Sequence, residues 1–196
     1  MNDFEKLLSR VRACQLCAQH LPLGPRPVVR LTPHIRLLII SQAPGTKVHA
    51  SGLPFDDVSG DRLRGWLGLN REQFYDESRI GFMPMGFCYP GKSRGGDNPP
   101  RPECAPTWHH HLRAHLKDVE LTLLIGRYAI EKYWPDAKGK TLTEILRSWK
   151  GGEVIPLVHP SPRNKLWLVK NAWFERDVVP QVRERVARVL GKAYPA

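Results

Sequence analysis

A chain of 196 residues has room for one well-buried core of ordinary domain size, and 30 Lys and Arg against 19 Asp and Glu give it a formal charge of +11 at pH 7. That excess favours a polyanionic partner, nucleic acid before others, although the basic residues are spread along the chain and by themselves name no activity. No apolar run approaches membrane-spanning length, and Met1-Asn2-Asp3-Phe4-Glu5-Lys6 carries charge where a signal peptide needs an apolar core, so a cytoplasmic, monomeric protein with no membrane partner is expected.

Phe4, Leu7, Leu8 and Val11 fall at helical spacing and predict a short amphipathic helix that delivers Cys14 and Cys17. Residues 21–33 alternate prolines and glycine with basic residues, the pattern of an extended segment wrapped around a domain. Residues 35–40, apolar apart from Arg36, predict a strand buried on both faces that runs out into Ser41-Gln42-Ala43-Pro44-Gly45. After Pro54-Phe55-Asp56-Asp57, the spacing of Leu63, Trp66 and Leu67 predicts a helix with Ser59 as its N-cap. Asn70 and Gln73 mark another helix start, and residues 79–87 predict a second strand interrupted by Pro84.

A Gly/Pro/basic loop over residues 89–101 leads to a predicted helix over 105–116, then to a buried strand over 121–125 and a helix after Gly126. Thr141 and Glu144 have capping-box spacing, residues 154–158 predict the last strand, and residues 172–190 predict a helix kinked at Pro180. The strand over 154–158 ends in His159-Pro160-Ser161-Pro162-Arg163-Asn164, where two prolines stiffen the turn that presents the polar side chains. Alternating strands and helices predict an α/β fold, three-layer α/β/α, around a central, mostly parallel four-stranded sheet, the whole of 1–196 forming one domain. Both the 41–57 and 159–164 stretches leave carboxyl ends of strands, so they are expected to form two walls of one cleft.

Four cysteines in a reducing compartment read as metal ligands or free thiols rather than disulfides. Trp108-His109-His110-His111 is not a metal site, because three consecutive helical residues point in different directions; the histidines are expected at the surface or beside DNA. Trp167, Lys170, Asn171, Trp173 and Phe174 mix aromatic and basic residues as a nucleic-acid surface does, and as core aromatics beside a solvated face also do.

Together these motifs resemble the uracil-DNA glycosylase superfamily, in particular its iron-sulfur branches, families four and five. Ser41-Gln42-Ala43-Pro44-Gly45 is similar to the first active-site motif, Gly52-Leu53-Pro54-Phe55 to its continuation, and His159 to Asn164 to the second motif. The resemblance implies a DNA glycosylase that flips out uracil or a related deaminated base, hydrolyses its N-glycosidic bond and leaves an abasic site. It implies that His159 stabilises the departing base and that Phe55 stacks on it. Backbone groups of Gln42 and Ala43, with Gly45, would line the base pocket, and Asn164 would orient water or bond the loop. Ser161, Pro162, Arg163 and Lys165 would meet the DNA, Pro162 and Arg163 pressing into the duplex.

The acidic residue that other members carry in the first motif is replaced here by Ala43, as in family five, whose later Asp-x-Ser-Gly context matches Asp57-Val58-Ser59-Gly60. Asp57 is therefore the expected water-activating or water-positioning carboxylate, with a helix-capping role as its plain alternative. The asparagine with which family four reads uracil has no counterpart in Met83-Pro84-Met85-Gly86, which leaves hypoxanthine and xanthine beside uracil as expected bases. Cys14, Cys17, Cys88 and Cys104 are similar to the four thiolates that hold a 4Fe-4S cluster, within an N-terminal cluster-binding segment 1–34. Zinc on the same thiolates, or no metal, is the alternative. A non-catalytic DNA-binding or lesion-sensing protein on the same fold is the competing function.

Overall fold

In the computed structural model, which describes residues 2–191, the chain begins with helix α1 (Asp3–Arg12), capped by Asn2 in a reciprocal capping box with Glu5. Its apolar face buries Phe4, Leu8 and Val11, as the spacing predicts. After α1 the chain makes a 3-10 turn over Ala18–His20, and farther on Val28 and Arg30 bond along the outer edge of the sheet.

Strand β1 (Leu37–Ile40) has four side chains at most 2% exposed, each contributing about 1.5–3 kcal/mol on burial. It is followed by α2 (Thr46–Ser51), α3 (Val58–Leu67) and α4 (Arg71–Phe74). The cap of α3 is Asp57 and not Ser59: its Oδ1 accepts the Gly60 N–H at 2.9 Å, while Ser59 is buried inside the first turn. A carboxylate also meets the positive end of the helix, which favours it over a hydroxyl there. The α4 capping box of Asn70 and Gln73 forms as expected.

Strand β2 (Ile80–Phe82) ends before Pro84, shorter than predicted, although Met85 and Gly86 still donate to the carbonyls of Ser41 and Gln42. The predicted loop that follows contains a small hairpin, β3 (Lys92–Ser93) and β4 (Gly96–Asp97). Next come α5 (Cys104–Arg113), β5 (Leu121–Ile125), α6 (Arg127–Tyr133), α7 (Leu142–Ser148), β6 (Val154–Leu157) and α8 (Lys165–Lys170). A π-helical turn over Phe174–Val178 precedes α9 (Val179–Leu190), so Pro180 sits in the first turn of a new helix, where no N–H is needed.

The main sheet has the order β2-β1-β5-β6 and every pairing in it is parallel. Flanking helices cover its faces, giving the expected α/β/α layering. On the outer side of β2, Arg30 exchanges two backbone hydrogen bonds with Phe82, and Val28 donates to Phe87. The opposite edge is β6, which carries Pro156. No helix among the described residues is long and apolar enough to cross a membrane.

Candidate active site

The carboxyl ends of β1 and β6 open into one cleft of about 460 Å³, within the size range of small-ligand sites. One wall contains Gln42, Ala43, Gly45, Phe55 and Asp57; the facing wall contains His159, Ser161, Pro162, Arg163 and Asn164. The two motifs, more than a hundred residues apart in sequence, are thus neighbours. Lys165 is outside the cleft, exposed at the start of α8.

His159 leaves β6 through the buried Val158 and is backed by Gly126 at the end of β5. A Cβ on Gly126 would be 3.3 Å from that of His159, and its φ of 82° is one that glycine adopts without cost. The imidazole Nδ1 accepts the Ser161 N–H at 3.2 Å, which assigns the proton of the neutral ring to Nε2. Burial holds the His159 pKa below its ordinary value, opposed by the negative charges of Asp57 and Asp97. At neutral pH the ring is therefore an uncharged N–H donor.

The turn after His159 is tied down by its own side chains. Asn164 Nδ2 donates to the His159 carbonyl at 2.7 Å, so this amide nitrogen is committed to the loop. Ser161 caps the 3-10 turn Pro162–Asn164, and Arg62 of α3 reaches the carbonyls of Pro160 and Ser161 at 3.3 Å. Arg163 Nη1 donates to the Gly95 carbonyl at 2.9 Å and so clasps the β3–β4 hairpin.

Phe55 is buried, with φ 56°, and its ring lies 6.4 Å from that of His159 at an interplanar angle of 30°. Phe74 and Phe82 support it from behind. Helix α3 can start directly above it only because residue 60 is glycine: a Cβ there would stand 1.7 Å from the Phe55 carbonyl oxygen. Asp56 pairs with Arg71 at 2.9 Å and Asp61 with Arg64, which leaves Asp57 as the member of this acidic group that faces the cleft.

Sequence reasoning missed Asp97, Lys92 and Lys47, which also line the cleft. Asp97 and Lys92 arrive on the hairpin, whose strands are two residues each; the local signal was the Gly95-Gly96 pair, with Arg94-Gly95 as the two-residue turn and Gly96 opening β4. His109 departs from its expected surface position. It is 2% exposed, its Nε2 donates to the Pro84 carbonyl at 3.0 Å, and Nδ1 lies 2.6 Å from the Tyr133 hydroxyl. His110 and His111 are exposed. Among the aromatics beyond the cleft, Phe174 is core, and Trp167 and Trp173 pack against it at 5.7 and 6.3 Å.

All four cysteines are free and line one small cavity between the end of α1, the segment after β2 and the start of α5. Burial holds the thiols of Cys88 and Cys104 up at about 11 and about 12, so as free thiols they are not nucleophiles at neutral pH. Trp108 shares this cavity, and its indole Nε1 is buried without a hydrogen-bond partner. Among the described residues no group of three or more His, Cys, Asp or Glu side chains is arranged, as it stands, to hold a metal ion. The donor set nevertheless fits a thiolate-ligated group, since four thiols and an unpaired N–H donor border one space.

Architecture and cleft define an α/β protein with a cleft at the carboxyl edge of a parallel sheet, lined in part by Lys47, Lys92 and Arg163. The family model for the uracil DNA glycosylase superfamily matches residues 29–183, and the chain belongs to that superfamily. Membership makes it a protein of the DNA base-excision repair class, a glycosylase by descent with DNA as partner.

Proposed function

We propose that the protein excises uracil or a related deaminated base from DNA by hydrolysis of the N-glycosidic bond, leaving an abasic site. The observation that carries this reading is the placing of Phe55 and His159, from motifs far apart in sequence, on the two walls of one cleft with ring centres 6.4 Å apart and tilted by 30°. A planar base extruded from the helix stacks on Phe55, and the Nε2–H of His159 donates to a base oxygen.

As the C1′–N bond breaks, its electron pair passes to the base and positive charge develops on the sugar. The neutral imidazole stabilises the base anion by a hydrogen bond without first having to lose a proton. Asp57, fixed by its bond from Gly60, supplies a negative charge that faces the sugar cation and positions water. Lys47, Lys92 and Arg163 line the cleft as basic groups for phosphates, and the exposed Lys165 adds another beside it. Cys14, Cys17, Cys88 and Cys104 would hold a 4Fe-4S cluster, with the Trp108 N–H as an outer donor to it. When bound, such a cluster cross-links the N-terminal segment to the 86–104 region.

The test is incubation of purified protein with labelled single- and double-stranded oligonucleotides containing uracil, hypoxanthine or xanthine, followed by alkali. Cleavage at the modified position is expected for at least one of these bases. Tight binding with no cleavage on any of them would establish the lesion-sensing alternative instead.

A further inference from the structure

We propose that Asp97, on the β3–β4 hairpin, is a catalytic carboxylate of the cleft and takes the proton of the water that attacks the sugar. This rests on the glycosylase reading of the same cleft. It assigns the proton transfer to a residue outside both active-site motifs, with Asp57 as the positioning charge on the other side.

Geometry distinguishes the two carboxylates. Asp57 Oδ1 is engaged as the α3 cap, accepting the Gly60 N–H at 2.9 Å. The Asp97 carboxylate has no hydrogen-bond or ion-pair partner among the described residues, and one of its oxygens stands 3.5 Å from where a Cβ on Gly45 would lie. Lys92, its cross-strand partner in the hairpin, also lines the cleft but makes no ion pair with it. An unpaired carboxylate on a cleft wall is free to accept a hydrogen bond from water.

The hairpin that carries Asp97 is fastened at both ends. Arg163 holds its tip through the Gly95 carbonyl. Gly96, at φ 130°, lets the guanidinium lie where any side chain would collide, 1.3 Å from its would-be Cβ. At the base, the Asn98 backbone N–H and side-chain Nδ2 donate to the carbonyls of Gly91 and Pro90 at 2.8 and 3.1 Å. The second motif therefore acts twice: His159 faces the base, and Arg163 sets the position of Asp97. The negative charge of Asp97 is also felt at the His159 ring, which places the carboxylate within electrostatic range of the reacting group.

In the step itself, the C1′–N bond breaks with its electron pair going to the base. A water oxygen then bonds to C1′ while one water proton passes to Asp97. Asp97 returns that proton to solvent, and the base anion takes one up, so water and nucleotide become free base and abasic sugar.

The experiment uses the full chain, purified with whatever metal it carries, and compares wild type with Asp97→Asn, Asp97→Ala and His159→Ala. Single-turnover excision from a uracil-, hypoxanthine- or xanthine-containing oligonucleotide is measured beside binding to the same oligonucleotide and thermal melting. Asp97→Asn is expected to slow excision by ~100-fold or more with binding changed by less than roughly threefold and melting unmoved. Formate is expected to restore part of the activity of Asp97→Ala, which it does not do for a residue with a merely structural role. If Asp97→Asn excises within roughly threefold of wild type while His159→Ala does not, the Asp97 assignment falls and the glycosylase reading stands. Failure of formate to rescue Asp97→Ala, or a loss of binding or folding that accounts for the slower excision, also overturns it. A wild type that excises none of the three bases removes both.

Discussion

At the residue scale, two histidines show how the same side chain is assigned opposite tasks by its surroundings. His159 keeps one edge in the cleft and a defined Nε2–H, whereas His109 is sealed between the Pro84 carbonyl and Tyr133. Burial lowers the His109 pKa from its ordinary 6.5 to about 4. Because the folded value lies below the unfolded one, its contribution is fully present above pH 6.5 and is lost as pH falls toward 4. The loss amounts to about 3 kcal/mol. Thermal melting followed from pH 7 to 4 is expected to show this decline, and His109→Gln, destabilised at neutral pH, is expected to show a flatter profile. His109 was misplaced by sequence because adjacent histidines do not reveal the phase of their helix. Ala105, His109 and Leu112, all buried, are the face that fixes it.

At the scale of elements, the hairpin is the piece on which the cleft depends most and which the sequence shows least. Substituting Gly96→Ala is expected to drive Arg163 off the Gly95 carbonyl and loosen the hairpin, lowering excision on the order of tenfold with little change in melting temperature. Single-turnover kinetics beside a melting curve check it. The four sheet strands were legible because continuous apolar runs flanked by turn residues leave few alternatives, and the capping boxes of Asn70 with Gln73 and Thr141 with Glu144 because their spacing is fixed by backbone geometry, whereas the Asn2–Glu5 box emerged only in the structure. The hairpin was not, since two-residue strands have no period to detect. Helices α2 and α8 were missed for a related reason: at six residues each, neither is long enough to show a helical repeat, and both form where the fold returns the chain to the sheet. In the cleft, Phe55, Asp57 and His159 were found through motifs, while Asp97 comes from a loop whose only local signal was a pair of glycines.

At the scale of the whole molecule, part of the excess positive charge lies at the cleft in Lys47, Lys92 and Arg163, with Lys165 exposed just beyond Asn164. If Lys47, Lys92, Arg163 and Lys165 each displace a counterion from single-stranded DNA, log Kobs should fall with log salt at a slope of about −3. Fluorescence anisotropy across a salt series measures it, and Lys165→Ala is expected to shallow the slope by roughly 0.7. The four-cysteine cavity joins parts of the chain far apart in sequence. If the cavity holds the proposed cluster, Cys104→Ala is expected to lose it, followed by visible absorbance and iron and zinc analysis, and to lower the melting temperature by several degrees, as removal of a structural metal does.

The extended segment after the first cysteine pair has a consequence beyond packing. By bonding to Phe82 on both its N–H and its C=O, Arg30 closes the outer side of β2, while on β6 Pro156 removes a donor from the other margin. A parallel sheet with both margins blocked offers little template for stray strands. The cysteine cavity anchors the start of the segment that does the blocking, so damage there uncovers a strand as well as loosening a helix. Variants that lose this anchor should then polymerise at high concentration before they lose their fold, and their solubility would fail earlier than their chemistry.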